Sequence, residues 1–277
     1  VNTEASLRRI VRECLQDAVV DDVRYLELRT TPRQLSDVKT RREYVRIVLD
    51  EIDLFPQLNR SRPLSSFARG TIAVRVILTI DRAQLVSVAE QTVDIALRYS
   101  ENVVGIDFAG NPNIGSFSDF LAVFHRAKGH GLFTTVHTSE IRGVEEETDA
   151  ILAFKPNRIG HFLFPSEQQM QTLLANGICI ESCPTSNVCA LSGRSPTELL
   201  INGHPVLERL IRHRENIVSV NTDDPGVFNV TLTDEIVAVA RTFCLNKTEI
   251  DRLITAAAHH AFLSPTERSA LATDILK

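Results

Sequence analysis

Leu132-Phe133-Thr134-Thr135-Val136-His137-Thr138-Ser139-Glu140 is a β-branched and aromatic run that ends on an imidazole and, three residues further, a carboxylate. Such a run reads as a short buried strand with its chemistry gathered at the C-terminal end. Two more stretches finish in the same way. Asn157-Arg158-Ile159-Gly160-His161 closes on a histidine, and Ile217-Val218-Ser219-Val220-Asn221-Thr222-Asp223-Asp224-Pro225 runs into adjacent carboxylates. Imidazole and carboxylate are ligands that a borderline-hard dication such as Zn²⁺ takes, and a metal-bound water needs a separate acid and base around it. His137, His161, Glu140, Asp223 and Asp224 supply those groups and point to a metal-dependent hydrolase. None of the 8 histidines stands in a His-x-His pair, so half of a nitrogen-rich site is not in evidence.

Outward from these stretches the same alternation continues. Helical spacing over Leu7 to Val20 precedes a strand over Val23 to Leu28, which runs into Arg29-Thr30-Thr31-Pro32-Arg33. A helix over Arg41 to Phe55 and a Pro- and Ser-bearing loop over Pro56 to Gly70 lead to the β-branched run Thr71 to Ile80, closed by Asp81. A helix near Ala83 to Tyr99, a strand over Val103 to Phe108 and a helix near Ser116 to Lys128 follow, up to the strand Leu132 to Val136. Beyond it, helices over Val144 to Phe154, Ser166 to Ala175 and Pro205 to Arg214 alternate with strands at Asn157 to Gly160, Ile178 to Glu181 and Ile217 to Val220. The tail from Leu232 reads as helix throughout.

Seven strands joined by helices predict a parallel sheet with right-handed crossovers. Arg29, Asp81, Asp107, His137, His161, Ser182 and Asp223 then stand at or just past the strands' C-terminal ends, where a TIM-type (β/α)8 barrel keeps its chemistry. An open doubly wound sheet would gather its ligands at one switch point and often carries a Gly-rich phosphate loop, which this sequence lacks. The expected fold is therefore one α/β barrel domain over residues 1–277, of the metal-dependent hydrolase kind. Seven strands do not close an eight-stranded cylinder, and the chain opens with a helix, so strand 1 is expected to be missing. That strand is also where a His-x-His pair would lie, because residues two apart on a strand face the same way.

Composition narrows the partners. A formal charge of -5 and a pI near 5.9 offer no basic patch to a nucleic-acid backbone, so a small molecule is the expected partner. No apolar run reaches the roughly 18 residues of a membrane span, and Val1-Asn2-Thr3-Glu4 lacks the basic and apolar regions of an export signal. A soluble cytoplasmic monomer is expected, with upstream residues missing because the chain begins without Met. Cys14, Cys179, Cys183, Cys189 and Cys244 are odd in number and mostly in apolar runs, which fits reduced, buried thiols. A Cys-rich zinc knot at Cys179, Cys183 and Cys189 is disfavoured by the lack of Cys-x-x-Cys spacing.

Five stretches in this order carry a resemblance: 104–110 (Val-Gly-Ile-Asp-Phe-Ala-Gly), 137–140 (His-Thr-Ser-Glu), 158–161 (Arg-Ile-Gly-His), 181–187 (Glu-Ser-Cys-Pro-Thr-Ser-Asn) and 221–225 (Asn-Thr-Asp-Asp-Pro). On them the chain resembles the adenosine/AMP deaminase family of the amidohydrolase superfamily over almost its whole length. The segment Tyr25 to Arg33 resembles the deaminase-like branch that acts on N6-methyl-AMP more than the adenosine-specific one. The resemblance implies one Zn²⁺ per chain, held by His137 and Asp223 together with two imidazoles from strand 1. It implies Glu140 as proton donor to purine N1, and His161 as the group that orients the attacking water. Asp224 would share a proton at N7, the Gly110 backbone would approach N3, and Asp81 would contact substrate with Asp107 behind it. Thr30, Thr31, Pro32 and Arg33 would contact the substrate, and the guanidinium of Arg29 or Arg33 suits the oxygens of a 5′-phosphate. The implied reaction takes N6-methyl-AMP to IMP and methylamine. The alternatives are adenosine to inosine and ammonia, or an inactive purine-binding remnant.

Plainer readings stand beside each of these. A lone histidine after a strand is more often a hydrogen-bonded core residue, and Asp223-Asp224 before Pro225 alone reads as a turn or helix cap. Arg29 and Arg33 can pair with surface acids, and Glu181-Ser182-Cys183 reads as support for the site. His259 and His260 point about 100° apart on a helix, and His125, His130, His204 and His213 show no ligand spacing; all six read as structural. Phe162 follows His161 where the family usually has Gly, so a crowded pocket is expected. With His137 and Asp223 as the only ligands in sight, zinc affinity is expected to be weak and the chain a partial product.

Overall fold

A computed structural model describes residues 1–58, 70–192, 206–213 and 217–276. Seven strands lie among them: β1 Tyr25–Thr30, β2 Ala73–Asp81, β3 Val103–Ala109, β4 Phe133–Thr138, β5 Arg158–His161, β6 Cys179–Ser182 and β7 Val218–Val220. Helix α1 (Glu4–Val20) precedes them. Helices α2 (Arg41–Asp53), α3 (Val86–Arg98), α4 (Phe117–Gly129), α5 (Glu145–Phe154) and α6 (Glu167–Asn176) then alternate with strands. Helix α7 (Pro184–Ser192) and the short α8 (Leu207–Ile211) separate β6 from β7, and α9 (Pro225–Phe228), α10 (Leu232–Thr242), α11 (Lys247–His260) and α12 (Pro265–Asp274) follow. All seven expected strands are present, each within a few residues of its expected place. Among the described residues no helix is long and apolar enough to cross a membrane.

Three differences from the sequence reading have local causes. Helix α7 was not expected, because Pro184-Thr185-Ser186-Asn187 looks like a turn; proline at the first helical position instead starts a helix, since its missing N–H is one that no helix start can satisfy internally. The tail is helical as expected, but breaks into three helices, since Asn246 forms a capping box with Glu249 and starts α11 afresh, and Ser264 and Pro265 open α12. The helix expected over 205–214 is limited to Leu207–Ile211; Pro205, Arg214, His204 and residues 59–69 of the expected loop lie outside the described residues.

The chain divides into two compact units. The first comprises Val1–Gly115, Asp119–Thr134 and Phe262–Asp274. In it β1, β2 and β3 pair in parallel in chain order. Strand β2 is buried from Ala73 to Ile80, which explains its nearly unbroken apolar run. Phe108 of β3 meets Phe120 and Phe124 of α4 at ring separations of 5.1 and 6.0 Å, and burying each such ring contributes about 2–3 kcal/mol. Helices α1 and α2 are tied by the buried Glu51, which pairs with Arg12 at 2.6 Å and Arg8 at 3.5 Å.

The second unit comprises Ser116–Ser118, Thr135–Ala261 and Ile275–Lys277. Here β4, β5, β6 and β7 pair in parallel, again in chain order, and β5, β6 and β7 are wholly buried. Between β5 and β6, Arg158 and Glu181 form a buried ion pair at 2.7 Å. Thr135 donates to Glu181 at 3.1 Å, and Arg158 donates to the His260 carbonyl at 3.1 Å. A buried pair of this kind fixes the register of neighbouring strands more surely than it adds stability. Opposite each other in register stand His137 and Gly160, Thr138 and His161, and Ser182 and Val220. The C-terminal ends of four strands are thereby aligned along one edge.

Candidate active site

The second unit brings four of the expected residues together. His137, half-buried, lies directly across from Gly160, where an added Cβ would stand 3.0 Å from the imidazole carbons Cγ and Cδ2. Glycine at 160 is what lets the ring lie flat on the neighbouring strand. The rings of His137 and His161 meet edge to face with centroids 5.1 Å apart. His161 is buried, and its Nδ1 is 2.7 Å from Oδ1 of the buried Asn187 on α7. With Asn187 accepting, Nδ1 carries the proton, and Nε2 faces Glu140 Oε1 at 3.7 Å. That separation is too long for a hydrogen bond but close enough for a charge on one to be felt by the other.

Backbone conformation delivers these side chains. Ser139 (φ 53°), His161 (φ 63°) and Phe162 (φ 54°) are all in the left-handed region, at a cost of about 1–2 kcal/mol each for non-glycine residues. The two bends are stitched together. Phe162 donates to the Thr138 carbonyl at 3.2 Å, while Leu163 and Phe164 donate to the Ser139 carbonyl at 2.8 and 3.0 Å. Phe164 N also donates to the Ser139 hydroxyl at 3.1 Å. Phe162 is fully buried in the packing of this unit.

Asp223 follows β7, exposed and with φ 58°, and its Oδ2 accepts from the Ser186 hydroxyl of α7 at 2.7 Å. Among the described residues, His161, Cys183 and Asp223 have ligand atoms within 4.8 Å of one another. Nitrogen, sulfur and carboxylate oxygen are the donors that Zn²⁺ accepts, and donors around one ion bound at 2.0–2.3 Å stand about 3–4 Å apart. The donor set fits a metal, but the expected ligand His137 is not one of its three members; it reaches the cluster only through its ring contact with His161, at 5.1 Å between centroids. Asp224 is the N-cap residue of α9, as the plainer reading has it: its carbonyl accepts from Val227 and Phe228 at 2.9 and 3.0 Å, while its side chain makes no capping bond. Partial loss of hydration and the neighbouring Asp223 push its carboxyl above the ordinary range, opposed by His137.

The first unit holds the remaining expected residues. Gly110 has φ 115°, open only to glycine without strain, and an added Cβ would stand 2.7 Å from Asp81 Oδ1. That same oxygen accepts from the Ala83 amide at 2.9 Å. Asp107 is fully buried, pairs with Arg29 at 3.5 Å and accepts from the Thr79 hydroxyl at 3.3 Å. Arg29 thus pairs with an acid, though a buried one rather than the surface acid of its plainer reading. Thr30 shares a hydrogen bond with the Tyr44 hydroxyl at 2.8 Å, Thr31 is half-buried, Pro32 is buried and Arg33 is exposed.

None of the five cysteines is in a disulfide, but the expectation of burial holds only for Cys179 and Cys183; Cys14 is half-buried and Cys189 and Cys244 are exposed. Both exposed thiols lie near helix ends, where an apolar neighbourhood in sequence does not ensure cover. Burial pushes the Cys179 thiol up to about 12, so it is inert as a ligand or nucleophile. Cys183 groups with His161 and Asp223 rather than in a cysteine knot. Sequence reasoning missed Ser186 and Asn187, although both belong to the quoted stretch 181–187. Their helical spacing became visible only with α7.

A family model described as adenosine deaminase matches residues 1–277. The chain is 34% identical over 275 residues to an adenosine deaminase-like protein of Drosophila melanogaster, covering 98% of this chain and 76% of that protein. It is 34% identical over 270 residues to an N6-mAMP deaminase of Arabidopsis thaliana, covering 93% of this chain and 74% of that one. A crystal structure of the Arabidopsis adenosine deaminase-like protein complexed with IMP superposes with a TM-score of 0.88 at 30% identity, covering 98% of this chain and 77% of that one. The chain spans about three-quarters of the length of these relatives, and its α/β fold is that of the amidohydrolase TIM barrels.

Proposed function

Since this chain belongs to the adenosine deaminase family, we propose that it is a purine deaminase that hydrolyses N6-methyl-AMP to IMP and methylamine. The nucleotide is supported by the N6-mAMP deaminase among the relatives and by the IMP-bound structure. The single observation that carries the chemistry is His161 standing between Asn187 at 2.7 Å and Glu140 at 3.7 Å, beside Asp223 and His137. The family is metal-dependent, and we take the metal to be one Zn²⁺ held by His137 and Asp223; when bound it supplies a water acidic enough to ionise near neutral pH.

The chain's own residues do the rest. Asn187 commits Nδ1–H of His161, so the imidazole presents Nε2 to a proton of the attacking water. Glu140, half-buried, gives a proton to purine N1 as C6 is attacked, which makes the ring nitrogen a better electron sink. Asp224, next to Asp223, accepts or shares a proton at N7. The Gly110 backbone approaches N3, Asp81 contacts the nucleoside, Asp107 supports it from behind, and Thr30, Thr31, Pro32 and Arg33 face the 5′-phosphate. That none of the five cysteines is in a disulfide supports a reducing, cytoplasmic setting, and we expect a monomer that needs neither nucleic acid nor membrane.

The test is turnover with metal analysis. Methylamine release from N6-methyl-AMP by protein carrying one zinc supports the reading. Faster release of ammonia from adenosine overturns the substrate, and purine binding with neither metal nor turnover makes the chain an inactive remnant.

A further inference from the structure

We infer that Glu235 is a positioning residue for this reaction, holding the first turn of α7 so that Ser186 and Asn187 set Asp223 and His161 in place. The inference rests on the function proposed above. Glu235 lies on α10, is fully buried, and accepts the Thr185 N–H with both carboxylate oxygens at 3.2 Å. Pro184 has no N–H, so the Thr185 amide is the first that α7 presents. It is among the amides that a helix start leaves without an internal partner. A carboxylate there also faces the positive end of the helix dipole.

The next two residues turn that clamp into a positioning device. Ser186 donates to Asp223 at 2.7 Å, and Asn187 meets His161 at 2.7 Å. Three successive residues of one helical turn thus bind three different elements: α10, the segment after β7 and the end of β5. Both 2.7 Å bonds are short, so a rotation of this turn by an ångström breaks them together. Glu235 is itself anchored, because Thr231 and Asp234 close a capping box one residue before it. A buried carboxylate is costly to keep for a single amide bond; the cost makes sense where the bond fixes two reacting side chains at once.

The test compares Glu235→Gln, which keeps one acceptor oxygen, with Glu235→Met, which keeps the volume and removes it. Three readouts are taken: kcat and KM, the rate of zinc release to a chelator, and the visible spectrum of the cobalt(II)-substituted protein. Glu235→Met is expected to lower kcat about 10–100-fold with KM changed less than about 3-fold, to speed zinc release by a similar factor, and to shift the cobalt bands. Glu235→Gln is expected to stay near wild type in all three. Thr185→Pro removes the same hydrogen bond from the other side and is tolerated in a first helical turn, so it decides the matter if Glu235→Met does not fold. A Met or Pro variant that folds and keeps the wild-type cobalt spectrum and zinc release overturns the inference. Neither of those readouts needs a purine, so a failure of the substrate assignment leaves this test intact.

Discussion

The strand ends of the two units carry the same kinds of residue and use them differently. In the first unit Asp107 is shut in by Arg29 and Thr79, and Asp81 turns back onto the Ala83 amide. One oxygen of each acid is thus held by local partners. In the second unit two candidate side chains have a fixed partner and keep another face open: His161 is held by Asn187 and turns Nε2 toward Glu140, and Asp223 is held by Ser186 while standing exposed. A polar residue at a strand's C-terminal end is therefore a necessary but weak sign of chemistry. What marks the second unit is a further layer of residues that aims the first.

The largest effect that tests this contrast belongs to the proposed metal ligands. His137→Ala or Asp223→Ala is expected to lower kcat/KM by at least about 1000-fold and to empty the protein of zinc; full metal content in either variant would sink the ligand assignment. Asp107→Asn, in the first unit, is expected to leave zinc content unchanged. Glu140→Gln comes next. Loss of the proposed proton donor predicts a kcat lower by about 100- to 10,000-fold with zinc retained, and a Gln variant within a few-fold of wild type would remove Glu140 from the chemistry.

Two glycines sharpen the comparison further. Gly160→Ala places a methyl 3.0 Å from the His137 ring, which must shift by a few tenths of an ångström, so zinc release is expected to quicken about 10-fold. Gly110→Ala meets Asp81 at 2.7 Å and forces a non-glycine residue to φ 115°, which predicts a loss of about 1–3 kcal/mol in stability with metal release unchanged. Metal release and denaturant unfolding on both variants separate the two cases. Equal effects on zinc would erase the distinction between the units.

How much of this was legible in the sequence depends on the distance over which each signal acts. The strands were readable because burial on both faces writes a continuous apolar run, as in Thr71 to Ile80. His137, His161 and Asp223 were readable as polar residues interrupting such runs. The supporting layer was not. Asn187 lies 26 residues from His161, Ser186 lies 37 from Asp223, and Glu235 lies 50 from Thr185. Nothing local in a Thr-Ser-Asn triplet says which strand end it will reach. Helix α7 was hidden for the related reason that its start signal, a proline after a strand, is also a turn signal. The pairing of Arg29 with Asp107 was likewise open in sequence, since an arginine suits an acid and a phosphate equally well.

The smallest effect concerns Glu235 and the pH dependence of stability. Burial raises this carboxyl to about 7 from an ordinary 4.5, and Asp234 on the same helix and Asp223 after β7 push the same way, against the hydrogen bond from Thr185. Between those two values the folded chain holds a proton that the unfolded chain has released. The group's contribution to stability is therefore fully present below about pH 4.5 and is lost as pH rises through about 7. Glu235→Gln cannot titrate, so its stability should fall less over this window. The difference from wild type is expected to be on the order of 2 kcal/mol between pH 4.5 and 8, read from denaturant unfolding. Surface Glu167 responds in the opposite direction, because Arg209 at 2.7 Å holds its carboxyl below the usual range. Parallel pH profiles for wild type and Glu235→Gln would mean that the buried carboxylate stays charged, held by the start of α7 more strongly than burial disfavours it.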